Sequence, residues 1–454
     1  MTAVIGVVAW ACASGFVSLT AREARADNAF PSSQSVLLPV DRPQQVVVGT
    51  TFGLVFSEDD GTTWAYSCEQ LQATPMGRQY RMGPPPDDRI YAVSNLGAPV
   101  STDGACTWRL PRGPVAALLA LDVWPDPSVP SRSYLLALNP NDQVGTAYRS
   151  NDGGLSYQGP IFTAEDATVT GIESATSDPS VVYITLSRRS DGHAVLSRST
   201  DGGDTWTERD IAADVGAVTP RLVAVDPTDP DRVLLLLLGS TPSAEEIQGV
   251  ALTTDGGITW RAPLTLPPTG TLTGFARLPD GTMVLVGNVP AEAGDGGAPT
   301  LVPALFRSDD GGLSFSTETL SFHAVGLAQR DGTLFAAADN FRDGFALASS
   351  LDGGRTWRPR LRFREIASVK PCVRALCADD CDYQAGVTLF PPETCHPRDA
   401  GTDGGPRDPG RPKGSGCGCA LGGQGDRPRV DAISVLALLA LGVMRHRRRF
   451  APSR

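Results

Sequence analysis

The 454-residue chain predicts an all-β fold: a seven-bladed β-propeller of four-stranded blades, followed by a C-terminal Cys-rich segment and a short C-terminal helix. Three observations carry that expectation. A phrase of the form Ser-x-Asp-x-Gly-x-Thr-Trp occurs seven times, beginning at Ser57, Ser101, Ser150, Ser199, Thr253, Ser308 and Ser350. Successive copies start 44, 49, 49, 54, 55 and 42 residues apart, the period of one propeller blade. Ahead of most copies lies an Asp-Pro or Asp-Gly turn and then a short apolar run, as in Asp178-Pro179 before Val181–Ile184.

In chain order, residues 1–26 read as a signal peptide. An apolar stretch from Ala3 to Leu19 precedes Ala24-Arg25-Ala26, a small-x-small cleavage site, although no Lys or Arg precedes the stretch. A retained membrane anchor is the alternative. Residues 33–365 hold the blades. The first begins near Ser35, with Val46-Val47-Val48 as its second strand. Later second strands are expected at Arg89–Val93, Tyr134–Leu138, Val181–Ile184, Val233–Leu238, Met283–Val286 and Leu334–Ala337, each apolar enough to be buried between neighbouring blades.

The repeated phrase is expected to be the hairpin turn between the third and fourth strands. Its Asp (Asp59, Asp103, Asp152, Asp201, Asp255, Asp310, Asp352) accepts backbone N–H groups of its own turn, and the Gly two residues on permits positive φ. Ala105 stands in that Gly position in the second copy, which leaves its turn open to distortion. The closing aromatic packs between hairpins; it is Trp64, Trp108, Trp206, Trp260 or Trp357 in five copies and Tyr157 or Phe315 in two.

The phrase resembles the Asp-box, or BNR, repeat of sialidases, sortilin-type receptors, some glucan hydrolases and photosystem assembly factors. The resemblance implies a propeller whose boxes lie away from any active site, so the seven aspartates are expected to build turns. Asp/Pro turns and boxes share one face. The other carries the loops between second and third strands and the connections between blades. Insertions at Ser67–Asp88, Leu186–Ala194, Gly239–Gly249 and Gly287–Pro303 place the expected binding surface there.

Residues 366–396 form the Cys-rich segment. Six cysteines are disulfide candidates: Cys68, Cys106, Cys372, Cys377, Cys381 and Cys395. Adjacent blades would bring Cys68 to Cys106, and the last four would form two bridges of open connectivity or, alternatively, a four-cysteine zinc site. A Pro/Gly-rich linker covers 397–416. Residues 417–454 contain Cys417-Gly418-Cys419, an apolar run from Ala432 to Met444 and Arg445-His446-Arg447-Arg448-Arg449. As a helix the run spans about 20 Å, short of a bilayer core of roughly 30 Å. This tripartite tail resembles the myxobacterial surface-sorting signal MYXO-CTERM. The resemblance implies processing at Cys417 or Cys419, membrane contact before processing, and a final place at the cell surface or outer membrane, or release from it. A plain membrane anchor is the runner-up.

Formal charge is −11; residues 1–26 carry +1 and residues 420–454 carry +5, leaving −17 between them. That excess argues against nucleic acid as a partner. No cofactor motif is found. His193, His323, His396 and His446 are scattered, and Asp379-Asp380-Cys381-Asp382 lacks calcium-loop spacing. Sialidase chemistry implies an Arg-Ile-Pro context, but Arg89-Ile90 runs into Tyr91. Loop carboxylates Glu245, Glu246, Glu292 and Asp295 are the candidates for a glycoside hydrolase. The expected function is non-catalytic: an exported, surface-attached scaffold whose loop face meets a glycan or protein. A secreted hydrolase is the alternative.

Overall fold

The computed structural model describes residues 31–396 except 69–78, 87–88, 95–96, 117, 241–245 and 292–299. The predicted leader 1–26, the linker 397–416, and the tail with Cys417 and Cys419 lie outside the described residues. Seven antiparallel sheets follow one another along the chain. Blade 1 spans Ser33–Cys68, blade 2 Gln79–Arg109, blade 3 Leu119–Ala164 and blade 4 Ala167–Asp210. Blades 5, 6 and 7 span Thr219–Thr265, Thr271–Thr319 and Ala324–Leu361.

Each blade is built from consecutive strands, and at six of the seven junctions the first strands of neighbouring blades pack against each other, so they ring the axis. The core is distributed between blades. On the second strand of blade 3, Tyr134 and Leu136 pack on Ile172, Val182 and Ile184 of blade 4. Leu135 and Ala137, alternating with them, pack on Tyr91 and Val93 of blade 2. A strand buried on both faces reads as one continuous apolar run, which is why the second strands stood out in the sequence.

Blade 2 departs from four strands. It keeps Gln79–Met82, Ile90–Val93 and Val100–Ser101, and its outer strand shrinks to one bridge between Val100 and Arg109. Pro111 and Pro114 follow immediately, and a chain without those N–H donors cannot extend the ladder.

The ring closes without strand exchange, since blades 1 and 7 are each complete. After blade 7 the chain returns to blade 1, where Ser368–Val369 pairs in parallel with Ala65 and Tyr66 on the outer strand. Val373, Leu389 and Phe390 join one apolar cluster with Tyr66 of blade 1 and Leu347 and Leu361 of blade 7. The helix Ala378–Gly386 lies in this clasp.

All six candidate cysteines are paired, but the pattern differs from the expected one. Cys68 bonds Cys377, Cys106 bonds Cys372, and Cys381 bonds Cys395. The cause is the returning strand, which sets Cys377 against Cys68 of blade 1 and Cys372 against Cys106 of blade 2. Four sulfurs so engaged leave no thiolate for zinc. Three disulfides are those of a protein of an oxidising compartment.

Candidate functional site

The seven boxes are closed chemical units. In blade 4, the Ser199 hydroxyl donates to Asp201 Oδ1 at 2.7 Å, and the same oxygen accepts the N–H groups of Asp204 and Thr205 at 3.0 and 2.8 Å. The Thr205 hydroxyl donates to Oδ2, and Gly203 N–H donates to Ser199 Oγ at 2.8 Å. The other six boxes repeat the arrangement with a Ser or Thr at the first and seventh positions. The hydroxyl and N–H of Thr63 hold Asp59 down to about 2. Thr205, Ser314 and Thr356 likewise hold Asp201, Asp310 and Asp352 well below the usual carboxylate range.

The second turn is not distorted. Ala105 takes φ +67° and keeps its N–H on Ser101 Oγ at 2.9 Å, while Asp103 accepts from Thr107 at 2.8 Å. The hydrogen bonds hold the alanine in the left-handed region that glycine would enter freely.

A second contact recurs at the boxes, from the preceding blade. The residue after each box Asp has positive φ, between +54° and +74°. Its carbonyl accepts from Arg360 at Asp60, from Tyr91 at Gly153, and from Tyr134 and Arg149 at Gly202. Arg232 serves Gly311 and Arg307 serves Gly353. In blade 5 the contact moves to the adjoining turn, where the Tyr183 hydroxyl meets the Pro230 carbonyl at 2.8 Å. For Gly104 the donor is Lys370 of the clasp, at 2.7 Å. The sequence reading missed these seam donors. Their signal is an Arg just before the box in Arg149 and Arg307, and just before the second strand in Arg232.

Around the axis, six first strands carry a register shift; blade 2 alone lacks one. At the shift, Thr273 Oγ1 donates to the Ala324 carbonyl of the next blade at 2.7 Å, and Thr170 does the same to Pro220. A Cβ on Gly326 would stand 2.7 Å from the Gln34 carbonyl oxygen of blade 1. In blade 3 the residue after the shift is Asp122, whose Oδ2 accepts Ile172 N–H of blade 4 at 3.3 Å. Arg81 Nη2 of blade 2 stands 3.7 Å from Oδ1 and over the Trp124 ring. Glu173 of blade 4 accepts Val225 N–H of blade 5 at 2.9 Å. Burial pushes Glu173 up to about 7, and pushes Asp122 up against the pull of Arg81. Sequence reasoning passed over both carboxyls, because nothing local distinguishes them from solvated acids.

On the loop side, the described residues of three of the expected insertions are mostly strand. Blade 5 pairs through to Gly239 with Ile247 and Ser240 with Glu246, and blade 6 through to Pro290 with Leu301. Alternation of apolar side chains, as in Val289 opposite Val302, lets the ladders run on. The stretch Ser67–Asp88 contains the first strand of blade 2. Glu246 therefore sits in a strand, and Glu245, Glu292 and Asp295 lie outside the described residues. The described histidines stay apart: His193 meets Asp210 at 2.8 Å, His323 meets Asp343 at 2.9 Å, and His396 meets Asp382 at 2.8 Å. Grooves of about 490, 430 and 380 Å³ lie between blades on the box side, at the 7–1, 6–7 and 1–2 junctions.

No family model matches the chain, and no curated protein matches it. Among solved structures it is similar to the GH74 enzyme of Niastella koreensis, at 15% identity over 72% of this chain and 65% of that one, with a TM-score of 0.41. The GH74 xyloglucanase of Xanthomonas campestris is 16% identical over 75% and 59%, with a TM-score of 0.36. YCF48 from Cyanidioschyzon merolae is 12% identical over 70% and 94%, with a TM-score of 0.44. The chain spans less than two thirds of the two GH74 proteins. These likenesses carry no argument about activity.

Proposed function

We propose that this chain is an exported, surface-attached propeller that works by non-catalytic binding, presenting a rigid loop face to a glycan, peptide or envelope partner. The observation that carries the reading is the engagement of its distinctive carboxyls. Seven box aspartates are saturated by their own turns. Asp122 and Glu173, the two pushed upward by burial, are held between blades on backbone N–H groups. Glycosidic hydrolysis needs two carboxyls roughly 5–10 Å apart across an open cleft. These two serve the ring instead.

Export is supported by the three disulfides and by the leader-like segment 1–26. Surface retention rests on the tail from Cys417 and its resemblance to MYXO-CTERM. The full oxidised chain should bind on a glycan or envelope-extract array and release no reducing sugar from any bound glycan. Release that disappears in Glu173→Gln would overturn the reading. Replacing Cys417 and Cys419 by Ala should move the protein from intact cells to the medium; unchanged cell association would overturn the attachment.

A further inference from the structure

The junction where the last blade meets the first holds a groove of about 490 Å³ whose walls carry three guanidinium groups, Arg330, Arg358 and Arg360. Two carboxylates share it, Asp60 and Asp331. Asp60 is already matched by Arg360 at 3.1 Å. Arg330 donates to the Gln45 carbonyl at 2.7 Å and lies over the Phe335 ring, 5.7 Å from its centroid. Burial there disfavours its charge. Arg358 is exposed, takes no ion pair among the described residues, and shares a strand face with Arg360. A basic groove therefore stands on a ring whose overall charge is strongly negative.

We propose that this groove binds an acidic peptide segment. Guanidinium forks match carboxylate side chains in two-point geometry, and Arg358 carries the one positive charge that the groove holds in excess of its two carboxylates. The rim supplies the apolar half of the recognition. Leu351 is 75% exposed there, and Pro43 lines the same groove. An acidic glycan is disfavoured by the aromatic inventory. Sugar rings stack on open aromatic faces, whereas Phe335 is 4% exposed and covered by Arg330. The site is separate from the loop face, so it does not depend on what that face binds.

The test uses the full oxidised chain and a fluorescent peptide of alternating Glu and Leu, read by anisotropy at low and high salt. Binding should be saturable and weaken with salt. Arg358→Glu should weaken it at least about tenfold, because one charge-assisted contact is lost and a repulsion added. Leu351→Ser should weaken it for the same peptide but not for hexaglutamate. Both variants should melt like the parent, since neither side chain makes a described polar contact. Absence of peptide binding, or binding indifferent to Arg358→Glu, overturns the proposal. Tighter binding of polygalacturonate than of peptide, lost in Arg358→Glu, overturns the peptide assignment in favour of an acidic glycan. Failure here leaves the array result on the loop face untouched, and the reverse also holds.

Discussion

Glu173 and the box aspartates titrate in opposite senses, and the ring's pH response divides between them. The folded state raises Glu173 to about 7 from an ordinary value near 4.5. Its contribution is therefore fully present below about 4.5 and is lost as pH rises through 7, when a charge must sit buried between blades, repelled by Asp122 and only partly offset by Arg81. Glu173→Gln keeps an oxygen for Val225 N–H and removes the charge. The variant should melt higher than the parent at pH 8, by up to about 3 kcal/mol, and no higher at pH 4. Equal melting curves at pH 8 would refute this account. The boxes run the other way: Asp59 and Asp255 fall to about 2, so their contribution holds above about 4 and fades as pH drops toward 2. Acid unfolding should begin below pH 4. Asp152→Ala strips acceptors from Ser150, Ser156 and the Ser156 N–H, and should cost about 1–3 kcal/mol in chemical denaturation.

Elements were legible in the sequence to the extent that they repeat locally. The boxes and the second strands could be read because each is a short contiguous signal: a turn with fixed chemistry, or an apolar run buried on both sides. First strands were harder. Their business is with the neighbouring blade, and the recurring pieces Val-Thr-Gly at 169–171 and Leu-Thr-Gly at 272–274 are too short to announce a bulge. In these pieces the threonine reaches the next first strand, and the glycine makes room for it. Blade 7 replaces the threonine with Val325 and keeps Gly326. Gly326→Ala should cost about 1–3 kcal/mol, because the added methyl meets backbone at the blade 7–1 seam rather than a yielding side chain. A melting temperature equal to the parent's would show that the seam can open locally. The seam arginines teach the same lesson. Their partners are carbonyls about 46 to 80 residues away within the run of blades, and 300 across the closure, so composition could show that arginine dominates without showing why.

At the scale of the whole molecule, the unread feature was the closure. A propeller whose first and last blades are each complete has no shared strand to hold the one against the other, and a repeat pattern cannot say what does. Here the clasp holds them. Its strand extends blade 1, Lys370 lies over the Phe56 ring at 3.9 Å and reaches the Gly104 carbonyl of blade 2, and Cys372 and Cys377 then lock blades 2 and 1. Lys370 is one of only two lysines in the chain, at a place where a compact ammonium fits between a ring and a carbonyl. The Cys68–Cys377 bond spans 309 residues, from the end of blade 1 to the clasp, and so encloses blades 2 to 7. In chain-entropy terms such a loop stabilises by about 6 kcal/mol, whereas Cys381–Cys395, spanning 14 residues, ties only the clasp to itself. Replacing Cys68 and Cys377 by Ser should therefore lower the melting temperature markedly and raise amide exchange first in Ser33–Leu37 and Ala324–Arg330, the facing first strands of blades 1 and 7. Replacing Cys381 and Cys395 should raise exchange in the clasp helix and leave those two strands protected. If both double variants loosened the clasp alone and the two strands stayed protected, packing at the seam would be sufficient for closure, and the covalent lock would have no part in holding the ring.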